Sequence, residues 1–246
     1  MVVKSEACAI MQPTYLPWLG YFDLISNVEN FLFLDDVKFN KSSYHHQNKI
    51  LGSNGDLLLS VPTRAVKGRM DTMISDVEIV YNQKWQIKHL RSIEQSYKKA
   101  PFFGDIYHHI EGVLLSDIQK LSELNIKIIK LISSILSLNT NFYKSSDFGN
   151  LTNDRVQRLI DFCQIKDAHY YYSPYGSFDY LDTAYNKELF QNADITVYFQ
   201  RFEVVPYLQK QKEFVPYMSI VDALMNCGIE GTKDLLKRGR QMSIFK

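Results

Sequence analysis

Long apolar runs are missing from this sequence. No uninterrupted stretch approaches the ~20 residues that a membrane-spanning helix needs. The opening segment, MVVKSEACAIM, lacks the apolar core of a secretory signal. Neither membrane insertion nor export is expected, and a cytoplasmic location is. Cysteine is scarce: Cys8, Cys163 and Cys227 are odd in number and far apart, and no CxxC pair occurs. That excludes a disulfide framework and fits a reducing compartment. An excess of charge of one sign is also missing. Lys and Arg total 28 against 27 Asp and Glu, a net charge of +1, so no strong nucleic-acid signal is present. The basic stretch Lys233, Lys237, Arg238, Arg240, Lys246 reads most simply as a solvated helix end. No GxGxxG, GxSxG or Walker motif occurs, which argues against a nicotinamide cofactor and against the common nucleophile and phosphate loops.

What is present is ample core material: 46% of the 246 residues are apolar. Residues 7–11 (ACAIM) read as a buried strand closed by Gln12-Pro13. Pro13 and Pro17 force an extended turn, and apolar residues resume from Leu19 at helical spacing. Phe31 to Leu34 is a second buried strand, ending at Asp35-Asp36. Residues 39–56 are polar and turn-rich, with Asn54-Gly55 as a turn. Leu57 to Val61 and Val77 to Val80 are further strand candidates. The spacing predicts helices at about 84–98, 102–116 and 118–138. Phe142-Tyr143, His169 to Tyr172 and Ile195 to Phe199 are strand candidates. Thr152 is placed to cap a helix running to Cys163. Ser219, with Asp222 three residues on, is placed to cap another, which Gly228 should end. The expected fold is α/β: one domain over 1–246, with a mostly parallel, Rossmann-like sheet and a helical insertion near 84–138.

The loop from Gln12 to Asp23 follows a strand and opens a helix, where ligands of open α/β sheets bind. Tyr15, Trp18 and Tyr21 could stack on a base or sugar, and Gly20 would admit a backbone or ligand at close range. The competing reading is that these aromatics are only core. Asp35-Asp36 stands at a strand end, where alternation lets one carboxylate face a site as a base, a sugar-hydroxyl acceptor or a Mg²⁺–phosphate ligand, and where a turn cap is the equal alternative. Adjacent His45 and His46 point different ways, and no HxxxH or HxH pair accompanies them, so no metal site is expected. One of the two, with Asn48 and Lys49, could hold phosphate or exchange protons. His89 lies at the edge of a helix's apolar stripe beside Lys88, where a satisfied structural histidine competes with a catalytic one. Gln200-Arg201-Phe202, Tyr207-Leu208-Gln209 and Asn226 add polar groups near strand and helix ends. For Asn226, a helix cap is the simple alternative.

MQPTYLPWLGYFDLI followed by FLFLDDVKF resembles the opening of the WbqC-like protein family. WQIKHLRSIEQSYKKAPFF, SSDF…NDRVQRLIDFC and FVPYMSIVDALMNCG resemble its later segments, so the likeness runs from about residue 7 to 235. The resemblance implies work on O-antigen and similar surface glycans, and for some members glycine transfer to an amino sugar. The same opening is similar in layout to HIGH-motif nucleotidyltransferases, but Trp18 and Tyr21 stand where two histidines would sit.

The expected function is transfer or ligation of an amino-acyl (glycyl-type) or other acyl group to the amine of a nucleotide-linked amino sugar. His89, Asp36 and His46 are the catalytic candidates. Gln12, Tyr15, Trp18, Gly20, Tyr21, Asn48, Lys49, Lys88 and Asn226 are the binding candidates. ATP with Mg²⁺ is one route to an activated donor, and a homodimer is an open alternative to a monomer. The rival expectations are a non-catalytic sugar-nucleotide binding or assembly protein and a HIGH-like nucleotidyltransferase.

Overall fold

The computed structural model describes residues 4–65, 71–81, 84–149, 151–152 and 154–244, the last three by backbone alone. Six strands form the main sheet: β1 (Ala7–Met11), β2 (Asn30–Phe33), β7 (Asn141–Lys144), β8 (Tyr170–Pro174), β9 (Thr196–Phe202) and β10 (Arg240–Ile244). Their order is β7-β2-β1-β8-β9-β10. All neighbours pair in parallel except β9 with β10. From β1, the chain builds outward through β2 and β7, then returns and builds the other way. The order therefore reverses between β1 and β8, which leaves a crevice at the strands' carboxyl ends.

Alternation along these strands sorts the core into two layers. Ala7, Ala9, Phe31, Phe33 and Tyr172 pack against α1 (Leu19–Ser26), α2 (Trp85–Tyr97), α3 (Phe103–Leu114), α4 (Leu121–Ile135) and α8 (Ile220–Gly239). Cys8, Ile10, Leu32, Tyr171, Val197 and Phe199 face α5 (Gln157–Ile165), α6 (Phe178–Leu181) and α7 (Ala184–Asn192). Both faces are covered, so strand sequences such as ACAIM and NFLF read as apolar runs rather than as alternation. Phe33 stacks on Phe142 of β7 at 5.5 Å, fixing the pairing of those two strands by side chains as well as by backbone.

The long connection from β2 to β7 holds two small antiparallel pairs. One is β3 (Gln47–Gly52) with β4 (Gly55–Ser60), and the other is β5 (Thr63–Arg64) with β6 (Glu78–Ile79). The three expected helices follow as α2 to α4. Asn54-Gly55 does make the turn, but residues 47–52, expected as irregular, are a strand. Its residues 48, 50, 51 and 52 are buried, because α2 and α8 cover it.

Three local expectations fail for physical reasons. Thr152 does not cap α5. The Asp154 carboxylate accepts the Val156 and Gln157 amides instead, at 3.0 and 2.8 Å, and the helix starts five residues later than Thr152. Ser219 does cap α8, taking the Val221 amide at 3.3 Å. Asp222 does not close a capping box, since its carboxylate is occupied by Tyr207 and Gln209. Gly228 kinks α8 rather than ending it. At φ 68 it breaks the helical run, and an added Cβ would lie 2.7 Å from the Phe102 ring, so only glycine lets α3's entry pack there. The basic stretch is a solvated helix end at Lys237 and Arg238, exposed in the last turn of α8, but Arg240 departs from it: it begins β10, and its Nε donates to buried Asp23 at 2.8 Å.

Candidate functional site

The loop between β1 and α1 is held rigidly by buried amides. Asn48 Nδ2 donates to the Tyr15 and Leu16 carbonyls at 3.1 and 2.8 Å. Asn125 Nδ2 donates to Pro13 O and His45 O at 3.1 and 2.7 Å. Tyr21 Oη donates to Gln12 O at 3.0 Å. These bonds hold Leu16 at φ 43, a left-handed conformation that a branched side chain disfavours. The loop's far end is tied across to α8, with the Ile220 amide donating to Pro17 O at 2.8 Å.

So held, the loop forms one wall of a cleft of about 1100 Å³ that opens over the ends of β1, β2, β8 and β9. This is the point where the strand order reverses. Of the sequence candidates, Gln12, Trp18, Gly20, Tyr21 and Asp36 line it. Arg201 and Phe202, at the end of β9, line it too. So do residues that periodicity did not single out: Lys38, Arg155, Arg158, Tyr175, Tyr180, Glu203 and Tyr217. Arg155 and Arg158 had one available signal, their i, i+3 spacing at a helix start, but nothing in the sequence aims them at β2.

Asp35 and Asp36 do diverge, as alternation requires, though a single hydroxyl serves both. Ser145 Oγ, fully buried just beyond β7, accepts the Asp35 amide at 3.0 Å and lies 2.5 Å from Asp36 Oδ1. Arg158 Nη1 donates to the same Asp36 oxygen at 2.9 Å, while its Nε donates to Thr152 O at 2.7 Å. Asp35 turns away and accepts the Ser146 amide and hydroxyl. A carboxylate oxygen gripped by a guanidinium and a hydroxyl is already spent as a structural acceptor. Also lining the cleft, the Arg155 guanidinium lies 3.5 Å over the Tyr180 ring and Arg201 lies 5.0 Å over Tyr175, so planar cations stand at the opening. Gln200 Nε2 donates to Gly20 O at 2.8 Å and to Asp23 Oδ2 at 2.7 Å, pinning β9 to α1.

Gly20 is needed for a neighbour within the chain rather than for a ligand. A Cβ there would meet the Trp18 indole at 2.3 Å, so the ring lies flat over the helix start. Trp18 in turn touches Phe202 and Tyr217 with ring centroids 5.6 and 5.5 Å apart. Tyr217 is exposed and sits at φ 60. The segment that carries it, 203–218, is anchored at Asp222, which accepts Tyr207 Oη at 2.6 Å and Gln209 Nε2 at 2.8 Å.

The remaining candidates lie elsewhere. His89 is interior, with Nδ1 2.9 Å from Tyr15 Oη and the ring also bonded to the Ser60 backbone. Burial lowers its pKa to about 4, so it is neutral near pH 7. Tyr15 is fully buried as its partner. His45 and His46 pack against Phe39. Desolvation, and for His45 the neighbouring His46, lowers both pKa values, that of His45 to about 4. Lys49 pairs with Asp56 on the hairpin, and Lys88 is exposed on α2. Asn226 turns back onto Asp222 O at 2.8 Å. None of these seven lines the cleft. Among the described residues, no three His, Cys, Asp or Glu side chains gather as a metal ion would require. Nor is any described helix long and apolar enough to cross a membrane.

Fold and cleft together define a mixed α/β protein with a mostly parallel sheet and a ligand-sized opening at its topological switch point. The chain belongs to the WbqC-like protein family, whose profile matches residues 12–234. It is also 32% identical over 235 residues to "Uncharacterized protein Rv1507c" of Mycobacterium tuberculosis (strain ATCC 25618 / H37Rv), a match covering 95% of this chain and 98% of that one. No solved structure matches it.

Proposed function

We propose that this protein is an enzyme whose cleft, at the switch point of a Rossmann-like sheet, binds a nucleotide-linked amino sugar and acylates the sugar's amine in surface-polysaccharide synthesis. The observation that carries the binding reading is the lining. Lys38, Arg155 and Arg201 bring cations to a cleft of about 1100 Å³ that is walled by Trp18, Tyr21, Tyr175, Tyr180 and Phe202. Cations answer a diphosphate, and aromatic faces answer a base or sugar. The acyl-transfer part rests on the family likeness. In that reaction the amine nitrogen bonds the acyl carbon, the donor's leaving group departs from that carbon, and one proton leaves the nitrogen. Asp36 and Glu203 are the carboxylates lining the cleft among the described residues. Asp36 is committed to Arg158 and Ser145, so exposed Glu203 is the group to take the proton. His46 and His89, being outside the cleft, have no part in it.

Adenylyl transfer of the HIGH type is disfavoured here. Trp18 and Tyr21 replace the histidines, and the Trp18 indole fills the space over Gly20 that a phosphate would approach. The test is calorimetric titration of the intact protein with UDP- and dTDP-linked sugars, ATP and glycine. Binding of a sugar nucleotide, weakened at least tenfold by Arg155→Ala, is the expected result. ATP binding alone would replace the reading with an adenylating ligase. Folded protein that binds none of them would leave a non-catalytic assembly role.

A further inference from the structure

A second, smaller chamber of about 210 Å³ opens beside the cleft. It shares Met11, Trp18, Tyr21 and Tyr217 with the cleft and adds Thr14, Tyr44 and Asn48. Trp18 and Tyr217, tilted 60° to each other, stand between the two spaces. Resting on the nucleotide-sugar reading, we propose that this chamber is the pyranose pocket: the nucleoside diphosphate lies in the cleft and its sugar ring turns past Trp18 and Tyr217 into the chamber.

Size, charge and polarity support this occupant. Pockets for a whole drug-sized ligand run from about 300 to 1,000 Å³, so the chamber suits a fragment of a ligand whose remainder fills the cleft. None of its seven lining residues carries a formal charge. A free amino acid would bring a carboxylate with no counter-charge, against ring faces that carry partial negative charge. A pyranose is neutral, apart from any amine it carries. Its C–H faces fit the rings of Trp18, Tyr21, Tyr44 and Tyr217, and a protonated amine would also be attracted by such faces. Its hydroxyls need hydrogen-bonding groups, and these are present. Thr14 Oγ1 has no hydrogen-bond partner among the described residues, and neither do the phenol hydroxyls of exposed Tyr44 and Tyr217. Asn48 contributes shape rather than recognition, since both its amide hydrogens are spent on the loop.

Thr14 and Tyr44 line the chamber and not the cleft, so they separate the sugar from the nucleotide. The experiment compares UDP with UDP-glucose, and dTDP with dTDP-glucose, by calorimetry on wild type, Thr14→Val and Tyr44→Ala. Tyr44 is 57% exposed, so its truncation leaves the core intact. Circular dichroism and the melting temperature confirm that each variant is folded. The expected result is that the wild type prefers the sugar nucleotide to the bare diphosphate, and that each variant loses about tenfold of that preference while its affinity for the diphosphate is unchanged. A preference unchanged in both variants overturns the pyranose assignment and gives the chamber to the second reactant. Equal binding of diphosphate and sugar nucleotide by the wild type overturns it as well, and leaves the nucleotide cleft standing. If neither diphosphates nor sugar nucleotides bind, the nucleotide reading fails, and this assignment with it.

Discussion

Acidification from pH 7 to pH 4 should destabilise this protein measurably through His89. The ring is buried, bonded to Tyr15 Oη and to the Ser60 backbone, and has its pKa lowered from an ordinary 6.5 to about 4. In the unfolded chain the same imidazole takes up a proton as the pH falls through its ordinary value. The folded protein refuses that proton until near pH 4. Between those limits the unfolded state binds more protons, so stability must fall as pH falls, and it is unaffected above pH 7. At 1.36 kcal/mol per pKa unit the loss accumulates to about 3 kcal/mol by pH 4. That is a large share of a total stability of roughly 5–15 kcal/mol. The assay is urea unfolding from pH 7.5 to 4, on wild type and on His89→Gln. Glutamine can accept from Tyr15 Oη but cannot titrate. The variant should be less stable at pH 7, by about 1–2 kcal/mol for imperfect packing and hydrogen bonding. The gap should close or reverse as the pH drops. A gap that stays constant from pH 7 to pH 4 would show that His89 is not a buried neutral imidazole, and the reasoning would be refuted.

Other outcomes follow from the same contacts. Arg240→Ala leaves the Asp23 carboxylate, 1% exposed, with Gln200 and Asn27 as its side-chain partners among the described residues, and should cost about 3 kcal/mol in urea unfolding. Ser145→Ala removes the hydroxyl shared by Asp35 and Asp36. A loss of about 1–3 kcal/mol is expected, with a further loss of affinity for sugar nucleotides as Arg158 and Asp36 shift. Gly20→Ala drives a methyl into the Trp18 indole. The ring should leave its seat, seen as a shift in tryptophan emission together with weakened ligand binding, and unchanged emission would contradict the packing. Tyr15→Phe removes the Oη bond to His89 alone and should cost about 1 kcal/mol, with no effect on the affinity of the cleft.

Sequence alone was enough for the parts ruled by local chemistry. ACAIM and FLFL could only be buried strands. The 3.6-residue spacing of Leu90, Ile93 and Tyr97 and of Leu124, Ile128 and Ile132 marked helices within two or three residues of α2 and α4. The loop bearing Gln12, Trp18 and Tyr21 was legible as a wall of the cleft, because a strand end followed by a helix start is a local pattern. Tertiary structure decided the rest. Whether an edge-of-stripe histidine faces a cleft or the core depends on what covers it, and for His89 that is Tyr15, 74 residues away. Asp36 read equally as a base or as a turn cap because its restraints, Ser145 and Arg158, lie 109 and 122 residues on. Gly20 looked like a gap for a ligand until the indole two residues earlier was seen to fill it. The Arg155 and Arg158 side of the cleft exists only because β8 returns to pair with β1, a long-range contact that sets where the sheet reverses and that no local period encodes.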